Sequence, residues 1–148
     1  MKTKQLYIGH IFTLLSGSLI YILFRTSNLK MFAWFEKLNI LQTIITLRNF
    51  TAKYSNNLPE IILYSLPDGL WLFSYVSLTL FLWENEIKQE NFIWIFIVPI
   101  ISILSEIGQI VNIVPGTFDF SDLLMYLLGT ILPLIIYRKS ITLNLINK

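Results

Sequence analysis

Four stretches of the chain are apolar for long enough, or nearly long enough, to cross a bilayer. They run roughly over residues 6–24, 67–83, 92–113 and 120–137, and a spanning helix needs about 20 mostly apolar residues. The second is short unless residues 61–66 lengthen it. Pro99 and Pro133 lie inside the third and fourth. Proline breaks helices in water but is tolerated in membrane helices, so both are read as kinks rather than ends. The connection between the first two stretches has a different rhythm. On a helix, Trp34, Leu38, Leu41 and Ile45 share one side, and Glu36, Asn39, Thr43 and Thr46 the other. Residues 29–50 are therefore predicted to form an amphipathic helix, lying in the membrane interface or packed over the end of the bundle. "YSNNLPE" at 54–60 ends it. The expected fold class is all-α: one domain over 1–148, an integral membrane bundle of four transmembrane helices with an interfacial amphipathic helix between the first and second.

Composition supports a bilayer as the solvent. Of 148 residues, 55% are hydrophobic and 14% charged, against about 25% charged in soluble domains. Mean hydropathy is +0.65. No cysteine is present and His10 is the one histidine, which excludes disulfides, thiolate chemistry and histidine-rich metal sites. The net charge of +2 comes without a basic block, so nucleic acid is not an expected partner. Lys2 and Lys4 precede an apolar run with no small-x-small cleavage pattern at its end, and the first stretch is expected to stay as a membrane helix that also targets the chain. The expected location is the cell membrane, multi-pass.

Four spans place both ends of the sequence on one side, face A, and their basic residues divide almost evenly. Face A has Lys2, Lys4, Lys88, Arg138, Lys139 and Lys148; face B has Arg25, Lys30, Lys37, Arg48 and Lys53. The flanks next to the spans favour face A as cytoplasmic.

The polar positions converge whichever way the chain inserts. The second span starts on face B with Asp68. The third ends there with Glu106, Gln109 and Asn112, and the fourth starts there with Asp119 and Asp122. Ser102, Ser105, Glu106, Gln109 and Asn112 recur at steps of three and four, which makes one helix face that must turn inward. At 1.5 Å per residue, Glu106 lies roughly 12 Å inside a boundary at Val114, and Tyr75 and Tyr126 each lie roughly 9 Å inside, within reach of that acid. Gly129 allows a close helix approach. The aspartates also have the spacing of helix caps: Asp119 with Asp122, and Ser65 with Asp68. Glu106 has no helix end to explain it, and burying it costs about 2–3 kcal/mol on insertion scales. His10 lies near face A, on the helix whose Thr13, Gly17 and Tyr21 share a face, and is read as a packing or interfacial residue, not a catalytic base. Trp83 and Trp94 are read as interface anchors.

Two blocks carry a family resemblance. "PDGLWLFSY" opens a span with an aspartate followed by aromatics. "SEIGQIVNIVPGTFDFSDLLMYLLG" has glutamate-x-x-glutamine, a short turn, aspartates three apart and a glycine seven further on. This pattern resembles the VanZ-like family of small bacterial membrane proteins, and Asp68, Glu106, Gln109, Asp119, Asp122 and Gly129 match its positions. Many members have arginine where Thr117 stands, asparagine where Tyr126 stands and histidine where Leu72 stands. Without that arginine, Arg25 at the face B end of the first span is the replacement counter-ion. The resemblance implies a four-helix protein of the bacterial envelope, in a family whose founding member is linked to resistance to the glycopeptide teicoplanin.

The expected function is binding without turnover. An acidic cleft of Asp68, Glu106, Gln109, Asp119 and Asp122, supported by Tyr75, Tyr126, Arg25 and Gly129, would hold a lipid headgroup, an envelope precursor or a membrane-protein partner, with no cofactor. In the alternative, Asp68, Glu106, Asp119 and Asp122 hold a divalent cation or act as acid and base in an intramembrane enzyme for a lipid-linked substrate. A proton-coupled carrier fits less well, because no inverted repeat is present.

Overall fold

The computed structural model describes residues 2–27, 29–55 and 57–144; Lys148, counted above for face A, lies outside them. The described residues form six helices: α1 (Lys2–Phe24), α2 (Lys30–Lys37), α3 (Leu41–Ser55), α4 (Ile61–Leu82), α5 (Gln89–Ile110) and α6 (Phe120–Ile136). Three of them, α1, α4 and α5, are long and apolar enough to cross a membrane, and α6 is a shorter apolar helix of 17 residues. Two short strands, β1 (Glu86–Lys88) and β2 (Thr142–Asn144), pair in parallel, an addition the hydropathy pattern did not announce.

α4 is the hub, packing against α1, α5 and α6. It buries 44% of its apolar window, against 17% for α1 and for α5. Two glycines let α6 lie close to it. A Cβ on Gly69 would meet Met125 O at 2.9 Å, and one on Gly129 would run into Gly69 O and meet Leu72 Cβ at 3.0 Å. α1 lies across the other side of α4, with Gly17 against Pro67 and Trp71, and the Tyr21 ring tilted against Trp71 with centroids 4.9 Å apart. The stripe Thr13, Gly17 and Tyr21 is thus a packing face. Most of the remaining apolar side chains of α5, including Ile93, Trp94, Ile100, Ile101 and Leu104, are exposed. Such a surface is stable only against hydrocarbon or another apolar partner.

α4 begins at Ile61, so the second span does gain residues 61–66. Pro67 has no N–H and its ring crowds the preceding turn, and the helix widens there into a π-turn (Ile61–Ser65) with Leu66 N–H on Ile61 O. Ser65 is therefore helical and caps nothing. Asp68 stands seven residues, about 10 Å, into the helix rather than at its mouth. Pro99 and Pro133 lie within continuous helices. Asn112 is not part of α5: with φ +56° it reverses the chain after Ile110. Glu106 is consequently only four residues, about 6 Å, from its helix end.

The segment predicted as one helix over 29–50 is two. Asn39 takes φ +56° between α2 and α3, which rotates the two faces out of line. Trp34, Leu38 and Ile45 remain exposed, and the packed side chains include Met31, Phe32, Phe35, Leu41, Ile44 and Arg48. Arg48 ties α3 to the end of α1: its guanidinium donates to Ile22 O and, at 2.6 Å, to Arg25 O. Those carbonyls are left free where α1 ends, and a forked cation satisfies two at once.

The face A end is closed by polar pairs. Gln5 and Asn85 exchange amide hydrogen bonds (2.8 and 3.1 Å), Gln5 also donates to Ser77 O, and Lys2 pairs with Glu84 at 3.3 Å. Asn85, at φ +64°, receives Thr142 N–H on its carbonyl, so one residue joins α1, the α4–α5 turn and β2. The apolar core of Val76, Leu80, Ile87, Ile95 and Tyr137 lies beside this knot.

Candidate functional site

The acids gather at the opposite end, and each is placed by its helix. Asp119 is the cap of α6: its Oδ1 accepts Ser121 N–H at 2.7 Å. Its own backbone N–H donates to Glu106 Oε1 at 2.6 Å. Glu106, 3% exposed, thus has a local structural partner after all: it fastens the end of α5 to the start of α6. The turn between them needs Gly116, at φ +138°, and Gln109 lies over it; a Cβ on Gly116 would meet Gln109 Nε2 at 2.8 Å. The glutamate-x-x-glutamine spacing therefore has a physical role, with one residue on the far side of the turn and the other on its glycine.

Asp68 is within electrostatic reach of Asp122, Glu106 and Arg25. Tyr126 feels all three acids and Arg25. Between α4, α5 and α6 opens a cavity of about 200 Å³ lined by Asp68, Trp71, Leu72, Val98, Ser102 and Tyr126. Asp122 Oδ1 and Gln109 Oε1 are buried with no hydrogen-bond partner among the described residues. Arg25 ends α1, its guanidinium 5.5 Å from the Tyr21 ring centre and 5.6 Å from that of Tyr64. It forms no ion pair with an acid among the described residues. Nearby, Arg48 lies over Phe32 at 4.9 Å, and its partial burial lowers its pKa from the ordinary value; an arginine stays charged through such a shift.

Two expected members are placed elsewhere. The Tyr75 hydroxyl donates to Trp94 O, near the start of α5 and far along that helix from Glu106. α4 begins at Ile61 rather than near residue 67, so Tyr75 stands 14 residues, about 21 Å, along it and well past the level of the acids. The four-carboxylate cation site is not formed: among the described residues no three acidic or histidine side chains gather closely enough to hold a metal ion. Glu106 Oε1 and Asp119 Oδ1 are turned onto backbone N–H groups instead. Trp94 is exposed as an anchor would be, whereas Trp83 packs on the face A core.

His10 lies in a π-helical stretch of α1 (Gln5–Phe12). The carbonyls of Gly9 and His10 take hydroxyl donors as well, beside the bond from Thr13 N–H to His10 O. The Thr13 hydroxyl takes Gly9 O at 2.7 Å, and the Ser74 hydroxyl takes His10 O at 3.1 Å while its oxygen lies 2.7 Å from His10 Nδ1. Ser74 is 1% exposed, too buried to meet a substrate. The pair is a helix-packing device. Ser102, from the inward-facing stripe, is a cavity wall; sequence reasoning did not single out Trp71 as another wall or Arg48 as the clasp beneath Arg25. A tryptophan one turn from Asp68 was the available signal.

Comparisons of the chain with models of known protein families, with curated proteins and with solved structures found no match.

Proposed function

We propose that the chain is a VanZ-like integral membrane protein of the bacterial envelope that binds the polar head of a lipid, or of a lipid-linked envelope precursor, in the acidic cleft at its face B end. In this reading α1, α4, α5 and α6 all cross the bilayer. α6 is about 25 Å long against a hydrocarbon core of about 30 Å, a mismatch that local thinning accommodates. α2 and α3 lie along the interface, their exposed Trp34, Leu38 and Ile45 toward lipid. The motif from Glu106 to Gly129 supports the family assignment, and the exposed apolar surface of α5 supports insertion.

The observation that carries the binding function is the cavity with a carboxylate and two aromatic walls, Asp68, Trp71 and Tyr126, together with the buried, unpartnered Oδ1 of Asp122, one helical turn before Tyr126. Clustered carboxylates repel an anionic head and attract an amine, and Trp and Tyr faces add cation–π attraction. Arg25, in electrostatic range of Asp68, suits the phosphate of the same headgroup. The arrangement thus fits a zwitterionic aminophospholipid head. Binding is favoured over turnover because Glu106, the most buried acid, is already engaged by the Asp119 backbone.

The test is native mass spectrometry of protein reconstituted in nanodiscs of phosphatidylcholine doped with phosphatidylethanolamine. Wild-type protein retains phosphatidylethanolamine; Asp68→Asn and Asp122→Asn, which keep volume and remove charge, lose that preference severalfold. Equal retention in all three proteins refutes the function.

A further inference from the structure

A second pocket lies at the other end of the bundle, on the lipid-facing side of α5 and α6. It has a volume of about 360 Å³ and is walled by Phe92 and Phe96 of α5, Leu134 of α6, and Ile141 and Leu143 at the C-terminal strand, with Arg138 at its rim. That volume is within the range of about 300–1,000 Å³ seen for small-molecule pockets. Pairing of β1 with β2 forms one wall, and the Phe92 and Phe96 rings, 4.7 Å apart, form another.

The charges around it are unbalanced. Glu84 is paired with Lys2 at 3.3 Å and Glu86 with Lys88 at 2.5 Å. Among the described residues Arg138 and Lys139 make no ion pair, and Glu90, in the first turn of α5, is the remaining nearby acid. Arg138 follows the last residues of α6, so its guanidinium stands where a spanning helix leaves the hydrocarbon.

We infer that this groove holds one anionic phospholipid, its acyl chain along the apolar walls and its phosphate on Arg138. The proposal rests on the membrane reading above but not on the acidic cleft. An alkyl chain fills an apolar trough at no polar cost, and a guanidinium matches phosphate as a forked donor. A protein occupant would have to bring an acid on a matching apolar ridge, whereas lipid already surrounds the groove.

The experiment uses full-length protein in nanodiscs of phosphatidylcholine doped with phosphatidylglycerol, with bound lipid counted by native mass spectrometry. Wild type enriches phosphatidylglycerol. Arg138→Gln lowers that enrichment about fivefold, the worth of one basic residue at an anionic surface. Leu143→Glu, at an exposed position, lowers it comparably by setting a like charge in the trough. Lys139→Gln, outside the groove, leaves it unchanged. Enrichment surviving Arg138→Gln, or falling equally with Lys139→Gln, overturns the site. So does a dimer peak that Leu143→Glu abolishes while phosphatidylglycerol stays bound, since a second copy then occupies the trough. Release of wild-type protein from membranes by alkaline carbonate, measured first, overturns the membrane reading itself.

Discussion

Replacing Glu106 by alanine and by glutamine separates the hydrogen bond it makes from the charge it carries. Both substitutions remove a carboxylate that is 3% exposed, so both recover whatever its burial costs. Glutamine keeps an oxygen for Asp119 N–H, which lies 2.6 Å from Glu106 Oε1 in the native protein; alanine keeps none. An unsatisfied buried N–H costs about 1–3 kcal/mol, and the alanine void adds in the same direction. Glu106→Ala is therefore expected to be less stable than Glu106→Gln by about 1–3 kcal/mol. In a chain of this size that is about 2–4 °C in Tm per kcal/mol. Unfolding in mixed micelles by SDS titration, followed by tryptophan fluorescence, reads the difference, and amide exchange at Asp119 reads its location: fast in the alanine variant, slow in the glutamine one. If the two variants unfold alike, or glutamine proves the weaker, Glu106 does not hold the α5–α6 connection.

Further perturbations follow from the packing. Gly129→Ala adds a methyl against Gly69 O and Leu72 Cβ, and should destabilise by about 1–3 kcal/mol in thermal unfolding despite alanine's better helix propensity. Arg48→Gln leaves the Ile22 and Arg25 carbonyls short of a partner, and should speed proteolysis between α1 and α4 while the bundle stays folded. Gln5→Leu strands the Asn85 amide at a cost of about 1–3 kcal/mol. Adding Asn85→Gly, which tolerates the native φ of +64°, should recover part of that loss in a double-mutant cycle.

The helices that could span a membrane were legible because hydropathy is a property of composition over a long window. Their ends were less so. Ile61–Ser65 joins α4 through a π-turn that Pro67 provokes, and Asn112 stops α5 in a left-handed conformation; both are local backbone events that an apolar count passes over. The convergence of Asp68, Glu106 and Asp122 was readable from chain direction alone. Tyr75 was misplaced because its depth was counted from a helix start placed too late. The break at Asn39 was hidden by a side-chain pattern that runs on across it. The Gln5–Asn85 pair joins residues 80 positions apart, and its one trace in the sequence is a glutamine at the head of an apolar helix.

Because the chain has no cysteine, the meeting of the acids can be measured by introducing two. With Asp68→Cys and Asp122→Cys in one protein, held in native membranes, a short bifunctional methanethiosulfonate should join the pair and shift proteolytic fragments of α4 and α6 into a single band. Tyr75→Cys with Asp122→Cys should remain unjoined. Cross-linking of the second pair, or none of the first, contradicts a shared acidic pocket at this end of the bundle.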